Sequence, residues 1–221
     1  MKLLSLLSAG LDSTVNTFIA AREHVLVGTL SFDYGQRAAP AEIRQAKQIS
    51  NHLGVHHTLI DLPWYKNLGK SSLNNSLFEV PTHEQVSIDD LTVSQKTAER
   101  VWVPNRNGVF LNIAAALAEA QGADGVVVGF NVEEAATFPD NSQEYLESCT
   151  HAFSYSTRNG VKAVCFTTAL DKTQIVARGV QLGIEFEMIW PCYFNGDNWC
   201  GVCESCQRSL RALRANGITR K

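Results

Sequence analysis

Three short apolar runs alternate with two amphipathic segments in the first 61 residues, and this alternation constrains the fold more than any other feature. Residues 3–7, 25–32 and 57–61 have the length and composition of buried strands. Residues 11–19 and 39–53 carry apolar side chains at helical spacing, and Pro40 suits a first helical turn. A βαβαβ order requires a parallel sheet with helices on both faces, so we predict an α/β fold.

The second half of the chain continues this alternation. Helices are predicted at 109–120, 142–153 and 172–182, strands at 125–129 and 163–167, and a basic terminal helix at 208–215. Residues 62–100 are rich in Ser, Asn, Thr and charged residues and show no period, so we predict an irregular excursion that is functional or mobile. We expect one domain over 1–189, with 190–221 as a small segment packed on it.

Composition excludes several classes of protein. With 221 residues, of which 45% are hydrophobic and 19% charged, the chain can bury a core and is neither disordered nor fibrous. Its 19 Lys and Arg against 22 Asp and Glu give a net charge of -3, which argues against direct binding of nucleic acid. Because no stretch approaches the ~18 apolar residues of a membrane span, we expect a soluble cytoplasmic protein without a signal peptide or membrane partner.

A loop of small and polar residues joins the first strand to the first helix. Backbone N–H groups and the helix dipole can hold a phosphate there, with hydroxyl donors beside them. Asp12 can fix the loop or help to hold Mg²⁺. The alternative is a plain turn capped by Asp12 or Ser13. The loop lacks the Lys-Ser/Thr ending of a Walker A motif and the glycine spacing of a dinucleotide-binding motif. It comprises Ser8, Ala9, Gly10, Leu11, Asp12, Ser13 and Thr14.

Four of the six cysteines crowd into 15 positions near the end of the chain. Their spacing predicts a tetrahedral tetrathiolate site for one structural zinc ion. A redox pair, an iron–sulfur cluster and simple buried thiols are the alternatives. Cys149 and Cys165 stand apart and are expected in the core. The predicted ligands are Cys192, Cys200, Cys203 and Cys206.

The loop is similar to the pyrophosphate loop of the ATP pyrophosphatases, which cleave ATP to AMP and pyrophosphate. Together with residues 32–37, 103–107 and 110–111 and the cysteine segment, it makes the chain resemble the 7-cyano-7-deazaguanine synthase family, also called QueC or ExsB. The resemblance implies a parallel sheet of the adenine-nucleotide α-hydrolase-like type (PP-loop ATPase, Rossmann-like) with a small C-terminal zinc-binding segment. It also implies a homodimer.

The resemblance assigns roles residue by residue. ATP would be bound by Phe32, Tyr34, Gly35 and Gln36 as well as by residues 8–14, although Tyr34 is otherwise an ordinary aromatic at a strand end. Catalytic groups would be Asp12, Ser13, Arg106 and Lys172. The substrate would be held by Arg106, Asn107, Gly129, Asn131, Phe138 and Asp140.

Several of these residues also have an ordinary structural interpretation that involves no ligand. Arg106 and Lys172 can be ordinary solvated cations, with Asn107 as a helix cap. Phe138 is expected to stack on a deazapurine and Asp140 to accept from its amino group. Glu133 and Glu134 lie in the same loop and can equally form a solvated face.

Four positions depart from the family pattern. Ala9 replaces a glycine, which would place a methyl beside the phosphate path, cost energy at positive φ and weaken ATP binding. Ala38 replaces a His after Gln-Arg. Asn141 and Ser142 replace a Cys-Arg pair, whose arginine is a natural partner for a carboxylate.

The activity implied by the resemblance is the ATP-dependent conversion of 7-carboxy-7-deazaguanine and ammonia into 7-cyano-7-deazaguanine, a carbon–nitrogen ligation through adenylated intermediates with Mg²⁺. Because of the departures, two alternatives stay open. One alternative is a related enzyme that adenylates another deazapurine or small carboxylate. The other is a nucleotide-binding module without catalysis.

Overall fold

Five parallel strands form the centre of the fold in the computed structural model, which describes residues 1–219. They lie in the order β3-β2-β1-β4-β5, and every neighbouring pair is parallel. The predicted α/β class is therefore confirmed. The strands are β1 (Lys2–Leu6), β2 (Val25–Asp33), β3 (His57–Asp61), β4 (Gly125–Val127) and β5 (Lys162–Val164).

Eight α-helices connect or follow these strands within residues 1–219. Short 3-10 helices lie at Pro63–Tyr65, His83–Gln85, Pro139–Asn141 and Phe186–Met188. None of the described helices is long and apolar enough to cross a membrane. The α-helices are α1 (Leu11–Glu23), α2 (Ala39–His52), α3 (Leu91–Val101), α4 (Arg106–Ala120), α5 (Val132–Ala135), α6 (Gln143–Ser156), α7 (Lys172–Gln181) and α8 (Glu204–Ala215).

The sheet is covered on both faces. Helices α4 and α6 supply buried side chains such as Leu111 and Phe153 to one apolar cluster. Helices α1, α2, α7 and α8 supply Val15, Ile49, Ile175 and others to a second cluster. Burial on both faces explains why the strands read as near-continuous apolar runs in the sequence.

Residues 62–100 are more ordered than predicted, because their last third forms most of helix α3. The buried positions of α3 follow helical spacing, but they are mostly small or polar: Ser94, Thr97, Ala98 and Val101. Hydrophobic periodicity therefore gave no signal. Asp90 caps the helix by accepting from the backbone N–H of Thr92 at 2.8 Å.

Several boundaries also differ from the prediction. Residues 132–135, predicted as loop, form the one-turn helix α5, which the Asn131 side chain caps by accepting from Glu134 N at 2.9 Å. Helix α4 begins at Arg106 rather than near 109, and α8 begins at Glu204 rather than 208. Both extra turns lack large apolar residues, so periodicity missed them.

The C-terminal segment is joined to the rest of the chain by backbone contacts. Trp190 N donates to Ala9 O at 2.7 Å. Thr82 forms an antiparallel bridge with Cys203, so the excursion also contacts the cysteine segment. These contacts bring the segment next to the loop between β1 and α1.

Candidate active site

A cavity of about 250 Å³ lies at the carboxyl ends of β1, β2 and β4. The strand order reverses between β1 and β4, and crevices at such points are where open parallel sheets bind ligands. Thirteen of the predicted site residues line this cavity: Ser8, Gly10, Leu11, Asp12, Ser13, Phe32, Tyr34, Gln36, Arg106, Asn107, Gly129, Phe138 and Lys172.

The loop after β1 is held by its own hydroxyl groups. The Ser8 and Ser13 hydroxyls lie 3.1 Å apart, and Ser13 Oγ donates to Gly10 O at 3.2 Å. No side chain among the described residues caps α1, and the residues of its first turn line the cavity. An uncapped helix N-terminus at a cavity is suited to bind phosphate.

Gly129, at the end of the β4 segment, allows this loop to approach closely. A Cβ on Gly129 would lie 2.3 Å from Ser13 N and 2.5 Å from the carbonyl carbon of Asp12, which no real contact permits. The glycine therefore sets the distance between the start of α1 and the sheet. Any larger side chain would push the first turn of α1 away from the cavity.

Lys172 lies at the start of α7 and is ion-paired on both sides. Its Nζ is 2.7 Å from Asp12 Oδ2 and 2.8 Å from Glu134 Oε1, and the lysine side chain is only 3% exposed. Lys172 is therefore not a solvated surface lysine. Asp12 Oδ1 is buried and has no hydrogen-bond partner among the described residues.

Burial and charge compete at this group of three. Burial lowers the pKa of Lys172, but the carboxylates of Asp12 and Glu134 outweigh it and raise that pKa. Burial raises the pKa of Asp12. Burial also acts to raise the pKa of Glu134, but Lys172 outweighs it, and the net shift is downward. The lysine is therefore a fixed positive charge beside the loop between β1 and α1.

Arg106 forms no ion pair with any described residue. Its guanidinium touches the Tyr34 hydroxyl, with 3.4 Å between Nη1 and the oxygen, and it lines the cavity. Asn105 at φ 50 starts the helix that carries it. A partly buried guanidinium without a carboxylate partner is a ready receptor for an anionic group of a ligand.

The first turn of α2, the helix that follows β2, contributes an acidic residue that sequence reasoning missed. Glu42 lines the cavity, and Gln36 Nε2 donates to its Oε2 at 2.9 Å. Burial raises the pKa of Glu42 to about 7, against the lowering effects of Gln36 and Arg106. Its position six residues after Gln36, in the first turn of α2, was the available signal. Phe32 stacks on Phe110 at 4.1 Å and supplies an apolar wall.

The remaining predicted site residues lie outside the cavity lining. Asn131 is fully buried and caps α5, and the Asp140 carboxylate accepts from Asn141 Nδ2 at 3.1 Å. Asn107 Nδ2 donates to the Asp140 carbonyl at 3.3 Å, which orders this loop. The Asp140 carboxylate thus lies behind the cavity lining, beside the lining residues Asn107 and Asn141. The others in this group are Ala9, Thr14 and Gly35.

Helix α8 supplies a wall of the cavity that the sequence did not predict. Glu204 and Arg208 line it, and they pair with each other at 2.8 Å. Glu133, for which the sequence left open a place in the site or on a solvated face, accepts from Arg208 at 3.0 Å and from Arg211 at 2.6 Å. Neither Glu133 nor Glu134 forms a solvated face. The cysteine spacing gave no sign that the following helix reaches the site.

The sulfur atoms of the four clustered cysteines lie within 4.8 Å of one another. Cys200 Sγ and Cys206 Sγ are 3.9 Å apart, and backbone N–H groups donate to the sulfurs of Cys192 and Cys200. Four thiolates at ~2.3 Å from a tetrahedral zinc would lie about 3.8 Å apart, so the arrangement fits such an ion. This cluster could bind a metal; Cys149 and Cys165 are separate from it.

The residues that depart from the family pattern lie either in the apolar core or beside the cavity. Ala9 has φ 59, so the predicted positive φ is present. Its methyl group is buried in the apolar cluster around α1, not beside the phosphate path, which corrects that part of the expectation. Ala38 is buried in the same cluster. Ser142 caps α6 by accepting from Tyr145 N at 3.1 Å, while Asn141 lines the cavity.

Comparison with known proteins decides the family. The family model described as "Queuosine biosynthesis protein QueC" matches residues 2–217. The chain belongs to the QueC family. The sequence resemblance to that family is thereby confirmed.

Relatives of this QueC chain are similar over nearly its full length. A protein of Bdellovibrio bacteriovorus named "7-cyano-7-deazaguanine synthase" is 55% identical over 218 residues, covering 98% of this chain and 94% of that protein. One of the same name from Carboxydothermus hydrogenoformans is 46% identical, covering 97% and 99%. These names support the prediction that the QueC chain is an enzyme.

A solved structure, the NMN synthetase from Francisella tularensis, aligns with 99% of this chain and 78% of its own at TM-score 0.47 and 14% identity. A likeness this distant carries no argument about the site of the QueC chain.

Proposed function

We propose that this QueC-family chain converts 7-carboxy-7-deazaguanine and ammonia into 7-cyano-7-deazaguanine, using ATP, as a carbon–nitrogen ligase of queuosine biosynthesis. The relatives named for that product support the proposal. The observation that carries it is one cavity lined both by the uncapped N-terminus of α1 and by a guanidinium without a carboxylate partner, Arg106.

The first step activates the carboxylate. A carboxylate oxygen of the substrate, oriented by Arg106, attacks the α-phosphorus of ATP, and the bond to the leaving pyrophosphate breaks. Negative charge grows on the pyrophosphate, and Lys172, Ser13 and the N–H groups of the first turn of α1 stabilise it. Asp12 Oδ1, which is buried without a partner, is the oxygen suited to the Mg²⁺ that accompanies ATP.

Nitrogen enters in the second step. Ammonia attacks the acyl carbon of the adenylate, AMP leaves with the carboxylate oxygen, and an amide and a proton remain. The amide oxygen then attacks a second ATP and releases a second pyrophosphate. Loss of AMP and of the remaining amide protons gives the nitrile. The substrate itself is the nucleophile, so no side chain needs to form a covalent bond.

The proposed zinc ion is structural. All four ligands would be the clustered cysteines, which leaves no open position for substrate or water. It would fix the segment 190–221 on the domain formed by 1–189. We also propose a homodimer, as the family resemblance implies, and a reducing cytoplasmic setting, which suits six cysteines without a disulfide among the described residues.

Asn141 favours a second candidate within the same chemistry. It lines the cavity where the family pattern has a cysteine, and the arginine that usually follows is replaced by a helix cap, Ser142. A different deazapurine or small carboxylate would then be the acceptor, with adenylation unchanged.

The test is an incubation of the purified protein with 7-carboxy-7-deazaguanine, Mg-ATP and ammonium. We expect the nitrile by mass spectrometry and AMP and pyrophosphate in matching amounts. Release of AMP with another carboxylate but not with this one would select the second candidate. Tight ATP binding without pyrophosphate release under any condition would contradict catalysis and favour a binding module.

A further inference from the structure

Arg208 of helix α8 occupies the point where three parts of the chain meet. Its Nη1 donates to Glu133 of α5 at 3.0 Å. Its Nη2 donates to Glu204 at 2.8 Å and to Ser94 of α3 at 3.0 Å, and its Nε donates to Glu204 at 3.1 Å. All three nitrogens of the guanidinium are engaged, so Arg208 differs from Arg106, whose guanidinium makes one hydrogen bond to a described residue, to Tyr34.

Glu133 links Arg208 to Lys172. Its Oε1 accepts from the backbone N–H of Lys172 at 2.9 Å, while its Oε2 accepts from Arg208 and Arg211. The neighbouring residue, Glu134, binds Lys172 Nζ at 2.8 Å. One short helix therefore holds both the backbone and the side chain of Lys172.

The cysteine segment anchors the other end of this path. Helix α8 begins directly after Cys203 and contains Cys206, so the fold of the cluster sets where Arg208 lies. A continuous chain of polar contacts of 2.7–3.0 Å runs from Arg208 through Glu133 to Lys172, and on to Asp12 in the loop. Glu204 is also held by α3, since Thr97 Oγ1 donates to its Oε2 at 2.6 Å.

We propose that Glu133 and Arg208 are positioning residues that hold Lys172 in the geometry required by the phosphates of ATP. The cysteine segment thereby acts on the ATP site as well as on stability. A rigid supporting shell of this kind is what keeps a charged group within the tolerance that phosphate binding demands. The inference rests on the proposed use of ATP by this site.

The experiment measures the Kd of Mg-ATP and of the deazapurine carboxylate separately, by calorimetry, for wild type, Glu133→Gln and Arg208→Lys. We expect the Kd of ATP to rise about tenfold in both variants, because each loses charge pairing or the three-way fork that orients Lys172. The Kd of the carboxylate should stay within about twofold, since Arg106 is untouched. Glu23→Gln, which breaks the surface pair with Arg178, is the matched control and should bind ATP as wild type does.

A double variant separates positioning from general damage. If Glu133 acts through Lys172, adding Glu133→Gln to Lys172→Gln should leave the Kd of ATP within about twofold of that of Lys172→Gln alone. Independent tenfold losses that multiply would overturn the inference. So would wild-type ATP affinity in both Glu133→Gln and Arg208→Lys. Failure of the wild type itself to bind Mg-ATP would instead refute the proposed function.

Discussion

Lys172 Nζ lies 2.7 Å from Asp12 Oδ2, although 160 residues separate the two in the chain. The contact joins the start of α7 to the start of α1, two of the helix N-termini that line the cavity. Because both groups are nearly buried, the pair is not screened as a surface ion pair is. It places a permanent cation beside the loop that we propose to bind the phosphates of ATP.

Replacement of Lys172 with Met should be costly, since it leaves Asp12 and Glu134 together in a buried site without their cation. We expect the free energy of unfolding in urea to fall by about 3 kcal/mol or more. Arg178→Met is the control, because it removes a half-exposed ion pair with Glu23 and should cost under about 1 kcal/mol. Equal losses in the two variants would contradict the role of the buried pair.

Arg106→Lys tests the receptor for the substrate carboxylate. Lysine keeps the charge but loses the planar fork, so the KM for the carboxylate should rise about tenfold or more while the Kd of ATP changes little. Arg37→Lys is a matched control, because Arg37 donates to the carbonyls of Ser72 and Phe78 and does not line the cavity. An unchanged KM in Arg106→Lys would remove this assignment.

The cysteine cluster predicts about one zinc ion per chain in protein purified without added metal. Cys203→Ser should abolish most of that content, measured by atomic emission, and lower the melting temperature because metal binding contributes to folding. Cys149→Ser removes a buried thiol outside the cluster and should retain the metal. Full zinc content in Cys203→Ser would exclude the tetrathiolate site.

Glu42 should make the stability of the ligand-free protein depend on pH. Burial raises its pKa in the folded chain to about 7 from its ordinary value of 4.5, so between these pH values the folded chain keeps the proton while the unfolded chain loses it. Its contribution is therefore fully present below pH 4.5 and is lost as the pH rises through 7, by up to about 3 kcal/mol. The free energy of unfolding in urea, measured for wild type and Glu42→Gln, should therefore fall more steeply with rising pH in wild type than in the variant. The same pH dependence in both proteins would contradict the shift.

Ala9→Gly should have little effect, contrary to what the family pattern alone predicts. Glycine relieves about 1 kcal/mol of strain at φ 59 but loses a buried methyl group worth about 0.8 kcal/mol. The free energy of unfolding should change by less than about 1 kcal/mol, and the Kd of ATP by less than twofold. A large gain in ATP affinity would show that the methyl group does obstruct the phosphates.

Periodic patterns located the sheet and most helices because burial on two faces imposes them directly on the sequence. The loop after β1, Arg106 and the cysteine cluster could also be recognised in the sequence, since each belongs to a local motif with its own spacing. Helix α3 was missed because its buried face is small and polar, and α5 because a single turn is too short to show a period. Asp140 was placed in the site by its neighbours in sequence, but its carboxylate lies outside the cavity lining.

The sequence by itself determined the α/β class, the family, the loop that follows β1 and the four clustered sulfurs, because all of these depend on residues close together in the chain. Only the tertiary structure decided the partners of the charged groups. Lys172 meets Asp12 and Glu134, and Arg208 meets Glu133, through the crossing of helices that are far apart in sequence. Which charge is paired and which, like that of Arg106, stays free for a ligand depends on three-dimensional distance, and a one-dimensional pattern carries no record of that distance.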